Sequence, residues 1–139
     1  MSLVVEKLHI EARLKGGVKA EIVHSSSFFV KKGTKLALVG RSGCGKTMTA
    51  MSILGLLPQN CAASGSVIWG ESELLSMSKS DRRKMLGREF VLIPQSGADF
   101  LNPSLTVRRQ MGEALARLGV PHSARRGRME ELLHGAGFD

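Results

Sequence analysis

A glycine-rich segment of eight residues constrains this chain more than any other feature of its sequence. Residues 40–47 match G-x-x-x-x-G-K-[ST] in full. Such a loop can wrap an anion with its backbone N–H groups, and the helix that follows adds the positive end of its dipole. Lys46 is placed to reach the β- and γ-phosphates of a nucleotide, and Thr47 to ligate Mg²⁺. The predicted nucleotide contacts are Gly40, Arg41, Ser42, Gly43, Cys44, Gly45, Lys46, Thr47 and Met48.

The flanking sequence decides between a phosphate-binding loop and an ordinary glycine-rich turn. Residues 35–39 are apolar and predict a short strand that runs into the loop. Residues 47–57 carry an apolar stripe typical of a helix, ended at Pro58. Strand, loop and helix in this order are the context that the motif requires. The sequence therefore predicts binding of a nucleoside triphosphate.

The remaining pattern predicts an α/β chain with a helical tail. Residues 3–10 and 18–30 predict two strands before the loop, antiparallel across a turn at 15–17. The later predicted elements are strands over 65–70 and 89–93, and helices over 80–86 (with Ser80 as N-cap), 105–118 and 123–133.

A net charge of +8 raises the possibility of a nucleic-acid surface. Aromatic residues make up only 4% of the chain, so platforms for base stacking are scarce, and nucleic-acid binding is disfavoured. The alternatives are a solvated helix face or a face near anionic lipid headgroups. Without an apolar run of spanning length or a secretory signal, the sequence predicts a cytoplasmic protein.

With these elements and motifs the chain resembles the N-terminal part of an ATP-binding cassette (ABC) transporter ATPase. The resemblance rests on Lys32-Gly33, the phosphate loop, the segment 65–70 and Ile93-Pro94-Gln95. It implies that Gln95 is the Q-loop glutamine, which contacts Mg²⁺ or the attacking water and relays nucleotide state to the membrane subunit. Residues 100–107 are similar to the segment after the Q-loop in the dipeptide, oligopeptide and nickel importer ATPases, which lies near the coupling helix of the permease.

The resemblance implies a P-loop NTPase core of the ABC type, with an N-terminal antiparallel β subdomain and the start of a helical subdomain. Residues 1–95 would be the nucleotide-binding core and 96–139 the beginning of the helical subdomain. The implied cofactors are ATP and Mg²⁺. The implied partners are integral membrane permease subunits, a second ATPase subunit in a homo- or heterodimer and, indirectly, a solute-binding protein, at the inner face of the cell membrane. The cargo would be nickel or short peptides, with a slight preference for nickel or a related metal complex.

Two departures from the family pattern set limits on the expected activity. No aromatic residue occurs between Leu3 and Ser27 to stack on adenine, which leaves an aliphatic residue such as Leu14 or Val18. The Ser-Gly-Gly-Gln signature, the Walker B aspartate, the catalytic glutamate and the switch histidine are all absent from the 139 residues. The fold is therefore expected to be incomplete, with its catalytic site unfinished.

Two functions of different classes follow. The first is the ATPase subunit of an importer, represented here by its N-terminal part; residues 1–139 alone would bind Mg-ATP weakly and hydrolyse it negligibly. The second is a truncated, non-catalytic nucleotide-binding fragment or interaction module. A small kinase with a P-loop is a weaker third candidate, because strands precede the loop and no acceptor site is recognisable.

Overall fold

The computed structural model describes residues 1–97 and 100–138, and the chain divides after Leu86 into two units. The first unit contains the sheet and the helix that follows the phosphate loop. The predicted functional boundary between residues 95 and 96 stays a prediction. In chain order the elements are β1 Leu3–Arg13, β2 Lys19–Val30, α1 Lys46–Leu54, β3 Cys61–Trp69, β4 Ser72–Glu73, α2 Lys79–Met85, α3 Val107–Arg117 and α4 His122–Gly135.

The sheet of the first unit is antiparallel throughout, with the strand order β2-β1-β3-β4. β1 and β2 are joined by a tight turn in which Gly16 and Gly17 both have φ near +80°, a conformation that favours glycine. The antiparallel pair predicted before the loop is therefore confirmed. β1 also pairs with β3, so the strand over 65–70 is confirmed as the second half of a longer strand.

The core of this unit lies on one face of the sheet. Val5, Leu8 and Ile10 of β1 are at most 1% exposed, and Val67 and Leu74 are fully buried beside them. Leu54 of α1 and Val23 of β2 are also buried. Burial of such apolar side chains is the main favourable contribution to folding, at about 25 cal/mol per Å². The sheet and α1 therefore share one hydrophobic core.

Two strands predicted from apolar runs are absent. Residues 35–39 have no regular secondary structure and lie outside the sheet, and Val39 is 92% exposed. Residues 89–93 do not form a strand either, and Val91 and Ile93 are 72% and 87% exposed. Both predictions were wrong for the same reason. An apolar β-prone segment becomes a strand only when a neighbour completes its hydrogen-bond ladder. In the described part of the chain residues 35–39 belong to no ladder, and within 89–93 regular pairing is limited to an isolated bridge at Phe90, whose carbonyl accepts from the Gly87 amide at 2.8 Å.

The helices are close to their predicted positions, with corrected ends. α1 ends at Leu54 instead of 57, because Gly55 at φ +70° ends the helix and its N–H bonds back to the carbonyls of Met51 and Ser52. α2 is capped by Ser78 and not by Ser80, since the Ser78 hydroxyl accepts from the Asp81 amide. Ser72 and Glu73 pair with β3 as the short strand β4.

The second unit contains α3 and α4, which confirm the two predicted late helices. Thr106 caps α3 through its hydroxyl, and Leu115 is buried. Several basic residues of these helices are paired on the surface, as in Arg109–Glu113, Arg126–Glu130 and Arg128–Glu131. These ion pairs favour the solvated-face interpretation of the positive charge. Within the described residues, no helix combines the length and apolarity needed to cross a membrane.

Candidate functional site

The phosphate loop (residues 40–47) connects the exposed segment 35–39 to the first turn of α1. Gly43 and Gly45 have φ of +79° and +87°, in the left-handed region that side chains rarely adopt. Gly45 is the N-cap of α1, so the helix begins at Lys46 without any connecting residue. The first amides of a helix have no intrahelical acceptor and carry the positive end of its dipole. The start of α1 therefore offers free amides and a positive dipole end directly after the loop, two features on which an anion site depends.

Lys46 folds back across the loop that precedes it. Its Nζ lies 2.8 Å from the carbonyl oxygen of Gly40 and 2.7 Å from that of Arg41, and 3.6 Å from Sγ of Cys44. The ammonium group thus ties Lys46, near the end of the loop, to the first two residues of the loop. Phosphate oxygens are stronger acceptors for an ammonium group than neutral carbonyls, because both partners are then charged.

The other residues of the phosphate loop differ in their exposure to solvent. Arg41, Ser42, Cys44 and Thr47 are exposed, whereas Gly45 is buried. A Cβ atom at Gly40 would lie 2.6 Å from Sγ of Cys44, so the loop closes tightly at its first residue. Thr47 presents its hydroxyl in the first turn of α1, where the motif places the magnesium ligand. The residues present therefore fit Mg-ATP.

The predicted site residues do not all belong to one unit. Lys46, Thr47 and the loop glycines lie in the first unit, and Gln95 lies in the second, in an exposed bend after Pro94. The role of Gln95 at the nucleotide stays a prediction. Leu14 and Val18 flank the β1–β2 turn, where the Leu14 amide donates to the Val18 carbonyl at 2.8 Å, and both side chains are more than half exposed. Their contact with adenine also stays a prediction.

One supporting contact of the loop was missed by the sequence analysis. Gly45 packs directly on β2: a Cβ atom there would lie 2.6 Å from Cγ2 of Val23 and 2.9 Å from the carbonyl oxygen of Ile22. The motif signals that glycine is needed at this position, but it does not say which strand comes close. Only the register of β2 against β1 brings these residues to the loop.

A second cluster lies at the other end of α1. Arg82 of α2 places Nη1 3.4 Å from the carbonyl oxygen of Ser52 and packs on Gly55. Burial lowers the pKa of Arg82, and the Glu73 carboxylate opposes this shift. A positive charge near the C-terminal carbonyls complements the helix dipole. These residues border a cleft of about 540 Å³ lined by Leu54, Leu75 and Leu86 among others.

Glu73 is held in place by hydrogen bonds from β3 and from its own segment. Its carboxylate accepts from the Ser66 hydroxyl, from the Val67 amide at 3.0 Å and from the Leu75 amide at 3.1 Å. Burial works to raise the pKa of Glu73, but these donors outweigh it and keep the pKa below the ordinary value. The ionised carboxylate thus joins β4 to β3.

Comparison with known proteins assigns this geometry to a family. The model of the ABC transporter family matches residues 23–139, which includes the whole phosphate loop. The chain belongs to the ABC transporter family. It is 39% identical to the dipeptide transport ATP-binding protein DppD of Bacillus subtilis over 83% of its length. It is 36% identical to the metal-staphylopine import system ATP-binding protein CntD of Staphylococcus aureus over 68% of its length.

The match to a third relative runs almost from end to end of this chain. The oligopeptide transport ATP-binding protein OppD of Bacillus subtilis is 30% identical over 98% of it. The chain covers 35% of DppD, 35% of CntD and 38% of OppD, so it spans little more than a third of these relatives. The resemblance to ATP-binding proteins of peptide transport systems is confirmed.

Proposed function

We propose that this chain binds Mg-ATP in the phosphate loop, as the N-terminal part of the ATP-binding subunit of an importer. The observation that carries the proposal is the position of Lys46, whose ammonium group lies within hydrogen-bond distance of the carbonyls of Gly40 and Arg41 at the start of the loop. An ammonium ion beside a glycine-rich loop, at the start of a helix, provides the charge that a triphosphate needs.

Each residue of the loop has a separate part in binding. The amides of the loop and of the first helical turn would donate to the phosphate oxygens, and Lys46 would exchange its carbonyl partners for the β- and γ-phosphates. Thr47 would hold Mg²⁺, which neutralises charge on the phosphates when it is bound. Gln95 would approach Mg²⁺ or the attacking water. Adenine would lie against an aliphatic side chain, so base selectivity would be loose.

The cargo and partners follow from the relatives. Some of these are named for transport of dipeptides and oligopeptides, and one for import of metal-staphylopine. We therefore propose that the complete protein couples ATP hydrolysis to import of short peptides or of a metal complex such as one of nickel. Its partners would be permease subunits, a second ATPase subunit and, indirectly, a solute-binding protein, with the subunit peripheral on the cytoplasmic face of the membrane.

The second candidate is a nucleotide-binding module without catalysis. It shares the phosphate loop and Lys46 with the first candidate and differs from it in having no hydrolysis. Signature and Walker B residues in the reading frame after residue 139 would support the importer subunit. Their absence would leave the non-catalytic module.

Titration of the protein with Mg-ATP by calorimetry tests the proposed site. We expect Lys46→Ala to weaken binding by roughly tenfold or more, since a charge-assisted contact contributes about 1.5–3 kcal/mol. Lys79→Ala, which removes the same charge at the exposed start of α2, serves as the matched control and should bind as the unmodified protein does. Equal affinity of both variants for Mg-ATP would refute the assignment of the site.

A further inference from the structure

β2 contains a β-bulge at the position where it meets the phosphate loop. In the β1–β2 ladder Ile10 faces Val23, while the next residue of β1, Glu11, faces Glu21. Two consecutive residues of β1 therefore correspond to three of β2, and Ile22 is the additional one. A bulge bends its strand locally and redirects the groups around it, which is why bulges are frequent beside functional sites.

The bulge lies against the residue that begins α1. A Cβ atom added at Gly45 would come within 2.9 Å of the Ile22 carbonyl oxygen and within 2.6 Å of Cγ2 of Val23. Both distances are shorter than real Cβ contacts, so the backbone of Gly45 is in close contact with this part of β2. Val23 is 6% exposed and points into the core shared with α1. β2 therefore packs directly behind Gly45, the last glycine of the loop.

The same contact with β2 restricts the position of the first turn of α1. Gly45 is the N-cap of α1, and its carbonyl accepts from the Thr49 amide at 2.8 Å. Thr49 is itself buried. Any shift of Gly45 away from β2 would move the first helical amides and Lys46 together with it. Binding groups must be held within about 0.5 Å by the residues that support them.

We infer that Val23, together with the bulge at Ile22, is a positioning element of the phosphate loop. Val23 does not contact the nucleotide; it acts through Gly45, by fixing the loop amides and Lys46 in the arrangement that accepts phosphates. This inference rests on the proposed function of the loop and deepens it. It assigns a role in affinity to a buried valine of the sheet that the loop motif does not include.

The test compares Val23→Ala with Val5→Ala. Val5 is 1% exposed in β1 of the same sheet and pairs with Phe28 and Val67, so its truncation makes a similar cavity in the core. The first readout is hydrogen exchange of the amides of residues 43–47 without nucleotide. The second is the affinity for Mg-ATP. We expect Val23→Ala to accelerate exchange in the loop and to weaken binding about fivefold or more, and Val5→Ala to do neither.

A third variant covers the case in which Val23→Ala does not fold. Val23→Ile keeps the core filled and adds a methyl group next to Gly45. It should also weaken Mg-ATP binding, with a smaller loss of thermal stability than Val23→Ala. Equal loop exchange and equal affinity for the Val23 and Val5 variants would overturn the inference alone. Failure of the unmodified protein to bind Mg-ATP would overturn the proposed function, whereas the exchange comparison would still show whether Val23 fixes the loop.

Discussion

At the scale of single residues, Glu73 links local chemistry to the stability of the first unit. Its carboxylate accepts three hydrogen bonds, and its pKa lies below the ordinary value of 4.5 as their net result. A carboxyl group whose pKa is lower in the folded state stabilises the fold above its unfolded pKa and loses this contribution as pH falls through the folded pKa. Glu73→Gln should therefore lower the urea midpoint at pH 7, and the difference from the unmodified protein should shrink below pH 4.5.

The control for this prediction is Glu71→Gln. Glu71 is exposed and only two residues away, so the variant makes the same change in charge next to β4. Its urea midpoint should follow that of the unmodified protein at every pH. A difference between Glu73→Gln and the unmodified protein that stays constant from pH 7 to pH 3 would show that the ionised carboxylate is not what joins β4 to β3.

At the scale of elements, the start of α2 distinguishes two neighbouring serines. The Ser78 hydroxyl accepts from the Asp81 amide at 3.1 Å and donates to the Asp81 carboxylate at 2.7 Å. Ser80 lies inside the helix, where serine has no capping role. Ser78→Ala should cost about 1 kcal/mol in the free energy of unfolding, and Ser80→Ala close to zero. Urea denaturation of the two variants measures the difference, and the reverse order would support the N-cap expected from the sequence.

The elements also show which sequence signals are sufficient to predict a helix or a strand. The β1–β2 pair, α3 and α4 could be predicted because periodicity, a glycine turn and capping residues are local properties. The conformation of residues 35–39 and 89–93 could not be predicted, because an apolar run does not encode the partner that a strand requires. The bulge at Ile22 was also inaccessible to prediction. It depends on the pairing register of two strands, and that register is what places Val23 behind Gly45.

At the scale of the whole molecule, the two units carry different parts of the proposed function. The motif identified the phosphate loop from eight residues, and the family assignment agrees with it. The sequence does not predict how Gln95 would approach the nucleotide. Lys46 and Gln95 lie in different units, which are joined after Leu86.

Hydrolysis by the 139-residue polypeptide is the prediction that concerns the chain as a whole. Phosphoryl transfer needs a group that orients the attacking water as well as a cradle for the phosphates. Asp81, an aspartate within the described residues, is exposed in the first turn of α2 and bound to Lys84, which does not suit that role. We expect phosphate release no faster than that of Lys46→Ala, even at ATP concentrations that saturate the loop. Turnover that Lys46→Ala abolishes would mean that residues 1–139 contain a water-activating group, and Gln95→Ala would then be the variant with which to locate it.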